Sequence, residues 1–112
     1  MNEELKLAQE LIDFIDDSPS QFHVVESIKK MLVNNNFQEL DIRERWALKK
    51  GKSYFVTKNN SALIAFRVGN GKLEKDGFKI IGAHTDSPTF RIKPNPEMVS
   101  EGSYLKLNTG PY

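Results

Sequence analysis

Residues 78–83, FKIIGA, constrain this chain more than any other stretch. Apart from Lys79 the run does not alternate apolar with polar residues. That predicts a strand buried on both faces, as in sheets sandwiched between helices. Such a strand needs helical cover on each side. Yet all helical periodicity in the 112 residues lies before residue 37. The pattern describes an α/β sheet that these residues leave unfinished.

The helical part is legible in detail. Leu5, Ala8, Leu11, Ile12 and Ile15 recur at helical spacing and predict a helix over 3–16 with one apolar stripe, ended by Asp16-Asp17. In SPSQ, Ser18 as N-cap, Pro19 at the first helical position and Gln21 two further on predict a capping box. The second helix then runs to about Val33, with Phe22, Val25, Ile28 and Leu32 inward, and Asn34–Asn36 stopping it.

From Phe37 the period changes. FQEL reads as a short strand, followed by a charged loop around Trp46. SYFVT and ALIAFRV flank KNNS and predict a hairpin, because asparagines tolerate the positive φ of a tight turn. NNS at 59–61 fits the glycosylation pattern, but without a signal peptide it reads as a turn. GNGKLEKDG resembles a phosphate-binding loop, but it lacks the G-x-x-x-x-G-K-[ST] spacing and no helical pattern follows it. YLKLN is one more short, alternating strand.

Composition narrows the function. Sixteen Lys+Arg against fifteen Asp+Glu are interspersed along the chain, so no basic stripe marks a nucleic-acid or anionic-lipid surface. Without cysteine there is no disulfide, thiolate zinc site or thiol nucleophile. The acidic, amphipathic start has no basic segment leading into an apolar one, and no run approaches a bilayer span. The expectation is a cytoplasmic protein without nucleic-acid or membrane partners.

One of only two histidines stands at the mouth of the apolar run, in GAHTDSP, with Asp86 two residues on. In extended chain, residues two apart share a side and lie roughly 6.5–7 Å apart. Asp86 is then placed to hold one ring nitrogen of His84 while the other faces a metal, an arrangement that fixes the tautomer and strengthens the ligand. Ligand sites in open α/β sheets also gather at the carboxyl ends of strands. A surface histidine paired with a neighbouring aspartate fits the same spacing, and H-x-D alone does not separate the two.

The longer segment GAHTDSPTFRIKP closely resembles the region around the first metal-binding histidine of the aspartyl aminopeptidase/aminopeptidase I family of dizinc metallopeptidases. Upstream, SPSQFHVV resembles that family's N-terminal helix motif, where proline is commoner at the Gln21 position. SYFVTKNNSALIAFRVG resembles its hairpin ahead of the metal strand, and YLKLNTGPY its next segment. The likeness covers essentially the whole chain, in order and spacing.

The resemblance implies an α/β chain, N-terminal helices plus a mixed β-sheet, forming a truncated part of an α/β/α zinc-peptidase catalytic domain. It implies that residues 1–94 belong to the catalytic domain and 95–112 begin the family's inserted β domain. His84 becomes a zinc ligand and Asp86 the group that orients it. The other ligands and the catalytic glutamate lie in motifs not found in these residues. The implied activity is removal of acidic or neutral N-terminal residues from peptides. Two zinc ions serve it, with cobalt or manganese also compatible with histidine and carboxylate ligands. A homo-oligomer is implied, with exposed apolar sheet surface driving association. The rival reading is a non-catalytic binding or assembly module derived from such a peptidase.

The remaining residues carry less. A catalytic zinc takes three protein ligands, and His23, in the second helix, reads as structural. Trp46, Tyr54 and Phe55 read as core or interface aromatics. Arg91 and Lys93 alternate with Phe90 and Ile92. They are either a solvated strand face or a source of positive charge for an acidic substrate. Ser87-Pro88 shapes a loop, since no base is placed to make Ser87 a nucleophile.

Overall fold

In the computed structural model, which describes residues 2–88, 90–100 and 104–111, the chain begins with two helices of equal length. Helix α1 (Glu3–Asp16) is capped by the Asn2 side chain, which accepts the Leu5 N–H at 2.8 Å, and it ends on Asp17. Its stripe is present, but α1 buries no residue, and Leu5, Leu11, Ile12 and Ile15 are all exposed.

Helix α2 (Gln21–Asn34) starts two residues later than the capping-box reading predicts. The cap is Ser20, extended at φ −137° and ψ 165°, with its Oγ accepting the His23 N–H at 3.3 Å. A hydroxyl in that position bonds the third helical N–H and meets the same need. Pro19 therefore lies outside the helix, and the Ser18 hydroxyl turns to Ser27 Oγ at 3.2 Å. Of the four positions expected inward, Val25 is wholly buried and Ile28 and Leu32 are half-buried, but Phe22 is exposed. After Asn35 the chain turns through Asn36, at φ 67°.

Strands β1 (Gln38–Leu40), β2 (Ser53–Lys58) and β3 (Ala62–Arg67) form a mixed sheet in that spatial order. β1 is parallel to β2, with Glu39 opposite Phe55. β2 and β3 form the expected hairpin, Ser53 opposite Arg67 through Lys58 opposite Ala62. Asn59 and Asn60 turn it at φ 55° and 52°, the left-handed region asparagine enters more readily than most residues. Both asparagines were expected there.

As the central strand, β2 buries Tyr54, Phe55 and Val56 in succession, and with Val25 these are the buried apolar side chains among the described residues. Tyr54 meets Phe66 across the hairpin with ring centroids 5.7 Å apart, and Trp46 meets Phe66 at 6.3 Å. Trp46 thus closes the rim of the small core, its Nε1 donating to the Asp41 carbonyl at 2.8 Å. Helix α2 packs on β1, and Lys29 reaches Glu39 at 3.4 Å.

Three features depart from the sequence pattern. The polar loop after β3 contains a single helical turn, α3 (Leu73–Asp76), closed by Gly77 at φ 63°. The run Phe78–Ala83 is not a strand, because it joins no ladder and its side chains point to solvent, Ile80 at 84% and Ile81 at 101% exposure. A strand exists only where a neighbour takes its N–H and C=O groups. Among the described residues no strand lies beside it.

Third, the segment around RIKPNP is strand β4 (Phe90–Ser100), paired antiparallel with β5 (Tyr104–Pro111), which outruns the expected YLKLN. The ladder slips between Ile92 and Glu97. Pro94 and Pro96 supply no N–H there, and Asn95 sits at φ 52°. This second sheet stands apart from the first. The Cα radius of gyration is 20.1 Å, against about 13 Å for a compact domain of this length, and the extents are 68 × 44 × 23 Å.

Candidate metal site

His84 and Asp86 lie in the segment joining α3 to β4. The expected pairing forms, though not as extended chain alone would make it. His84 Nδ1 sits 2.7 Å from the Asp86 carbonyl oxygen and 3.2 Å from Asp86 Oδ1. The carbonyl can only accept, and so can the carboxylate when ionised, so Nδ1 carries the proton. The lone pair of a neutral ring is then on Nε2, directed away from Asp86. The imidazole is largely exposed and Asp86 is half-buried.

The backbone part of this arrangement was not legible from H-x-D spacing. Thr85, half-buried between the two, donates its hydroxyl to the Ser61 carbonyl at 2.9 Å. That bond reaches the end of the β2–β3 turn, 24 residues back.

Among the described residues no three His, Asp or Glu side chains gather where they could hold a metal ion. There, His84 has one carboxylate beside it, that of Asp86. His23 belongs to the α2 cap, its Nδ1 2.7 Å from Ser20 Oγ. Lys93 is exposed on β4, and the side chain of Arg91 lies outside the described residues. Ser87 and Pro88 are exposed.

A more fully hydrogen-bonded ion pair lies elsewhere, in the loop after β1. Arg43 grips Asp41 through Nη2 at 2.9 Å and Nε at 3.1 Å, and its N–H adds a bond at 2.9 Å. The side-chain bonds, then the backbone one, hold the Asp41 carboxyl down at about 2, and the side-chain bonds and the carboxylate charge raise the Arg43 pKa in return. D-x-R is too short a pattern to announce this. No helix among the described residues is long and apolar enough to cross a membrane.

Comparison with known proteins bears on this arrangement. Residues 14–112 match the model of the aminopeptidase I zinc metalloprotease (M18) family. This chain belongs to that family. A probable M18 family aminopeptidase 2 from Clostridium novyi (strain NT) is 62% identical over 112 residues, covering 100% of this chain and 26% of the relative. A probable aspartyl aminopeptidase from Ricinus communis is 36% identical over 110 residues, 98% of this chain and 22% of the relative.

The fold agrees as well. The solved S. cerevisiae mApe1 dodecamer superposes with a TM-score of 0.85 at 31% identity, over 99% of this chain and 26% of that one. The M18 chain thus spans about a quarter of the length of the curated relatives it matches. The resemblance of GAHTDSPTFRIKP and its companion segments is the family relationship, and the helices with a mixed sheet are its α/β fold.

Proposed function

We propose that this chain is the portion of a zinc-dependent aminopeptidase that supplies the first metal-binding histidine. His84 binds zinc through Nε2, and Asp86 holds Nδ1–H so that the ring keeps that tautomer and orientation. The observation that carries this reading is the double hold of Asp86 on Nδ1, at 2.7 and 3.2 Å. An exposed imidazole with an oriented ring and an open second nitrogen suits zinc. The complete protein removes acidic or neutral N-terminal residues from peptides. The Ricinus relative's name, probable aspartyl aminopeptidase, favours the acidic side.

When bound, two zinc ions polarise the scissile carbonyl and activate water, leaving proton transfer to a glutamate outside these residues. The work of this chain is to present His84 and keep its proton on Nδ1. Residues 1–94 belong to the catalytic domain and 95–112 begin an inserted β domain, and the complete protein works as a homo-oligomer. The dodecameric assembly named for the S. cerevisiae neighbour supports the last point.

A second reading, a non-catalytic assembly module, draws on the exposed apolar stripe of α1 and the exposed Ile80 and Ile81. One assay separates them. With zinc added, the full-length protein hydrolyses chromogenic aspartyl, glutamyl or leucyl substrates and loses that activity and zinc in His84→Ala. The 112-residue chain alone is silent. Full activity and full zinc content in His84→Ala would remove His84 from the site.

A further inference from the structure

We infer that Thr85 is a positioning residue for the metal site, tethering the loop that carries His84 and Asp86 to the β2–β3 hairpin. This rests on the reading of His84 as a zinc ligand. Among the described residues, the Thr85 hydroxyl supplies the only hydrogen bond from residues 78–88 to any other element, its acceptor being the Ser61 carbonyl at 2.9 Å. Every other hydrogen bond of the segment is internal, between His84 and Asp86.

The tether is placed where it matters. Thr85 separates the imidazole from the carboxylate that orients it, so one bond fixes both. Its acceptor sits on a turn with little freedom. Ser61 N–H closes on the Lys58 carbonyl at 3.2 Å, Asn59 and Asn60 hold left-handed conformations, and Lys58 pairs with Ala62 across the ladder. Both Ser61 and Thr85 are half-buried, so water competes less than at the surface. Among the described residues, Phe78–Gly82 are exposed and join no strand ladder. Precision at a metal ligand comes from such supporting bonds, and losing one typically weakens binding ten- to a hundredfold when it touches the ligand itself. Thr85 acts one bond further out, so the expected effect is smaller.

The test uses the full-length holoenzyme and its Thr85→Val, Thr85→Ser and His84→Ala variants. Valine keeps the branched shape and removes the donor, whereas serine keeps the donor and removes the methyl. Zinc affinity is measured by chelator competition, alongside kcat and KM and the melting of the zinc-free protein. Thr85→Val should bind zinc about 3- to 10-fold more weakly, in line with one partly buried hydrogen bond. Its kcat should fall at limiting zinc and recover in excess zinc, with KM unchanged. Thr85→Ser should match the unsubstituted protein. If Thr85→Val does not fold, Thr85→Ala against Thr85→Ser reads the same loss of the donor.

Unchanged zinc affinity in Thr85→Val, with His84→Ala impaired, would overturn the tether and leave the site standing. Equal loss in Thr85→Val and Thr85→Ser would also overturn it, assigning the effect to packing of the methyl group. Unchanged zinc affinity in His84→Ala would overturn the reading on which the tether rests.

Discussion

Two apolar runs in this chain have opposite fates. In β2, Tyr54-Phe55-Val56 are buried, with β1 on one side, the hairpin partner β3 on the other, and Phe55 at 0% exposure. In the 78–83 segment, Phe78, Ile80 and Ile81 face solvent. The difference is the neighbours each run has. β2 has a strand on either side, so its backbone groups are satisfied and its side chains find cover. Phe78–Ala83 has neither among the described residues. An apolar run states the environment it suits, and whether that environment exists depends on other segments.

Substitutions can sharpen or break this contrast in the 112-residue chain. Phe55→Ala should destabilise by about 3–5 kcal/mol in a denaturant titration, because it opens a cavity in a core of few residues. A cost under about 1 kcal/mol would mean that β2 is not the centre of the core. Next comes the cap. Ser20→Ala should cost about 1 kcal/mol and reduce helicity by circular dichroism, whereas Ser18→Ala costs less. The reverse order would restore the capping box at Ser18.

Ile81→Ser should change stability by less than about 0.5 kcal/mol here, as for exposed positions generally, while reducing self-association on sizing. A large loss of stability would show that the run is buried after all.

The smallest effect is electrostatic. Asp41 is held at about 2, below its ordinary 3.8, so its bonds to Arg43 favour the folded loop fully above pH 3.8. That contribution fades as pH falls from 3.8 towards 2. A carboxyl-carbon titration by NMR should place the Asp41 midpoint near 2, and a midpoint near 3.8 would show that the loop pairing does not persist.

Much of the local structure was legible because local chemistry decides it. The period of Leu5, Leu11, Ile12 and Ile15 predicts α1, and Asn59-Asn60 predict the hairpin turn, since these depend on residues a few places apart. Ser18 and Ser20 show the limit. Both precede the helix with a hydroxyl, and only the path of the chain through Pro19 decides which one reaches an N–H. Phe90–Lys93 alternate as a strand does, but the length of β4 was hidden by its prolines, which argue against continuing the strand until a bulge accommodates them. At the site, H-x-D predicted a carboxylate beside the imidazole, but neither the Asp86 carbonyl on Nδ1 nor the Thr85 bond to Ser61.

By itself, then, the sequence determined the two long helices, the hairpin, the mixed α/β character and the pairing of His84 with Asp86. Each follows from near neighbours and from side-chain periodicity. Tertiary structure alone decided which apolar faces are covered, which serine caps α2, and what tethers the His84 loop. Those outcomes depend on segments distant in sequence meeting in space. The 24-residue separation of Ser61 and Thr85 is bridged by one hydrogen bond that no local pattern encodes.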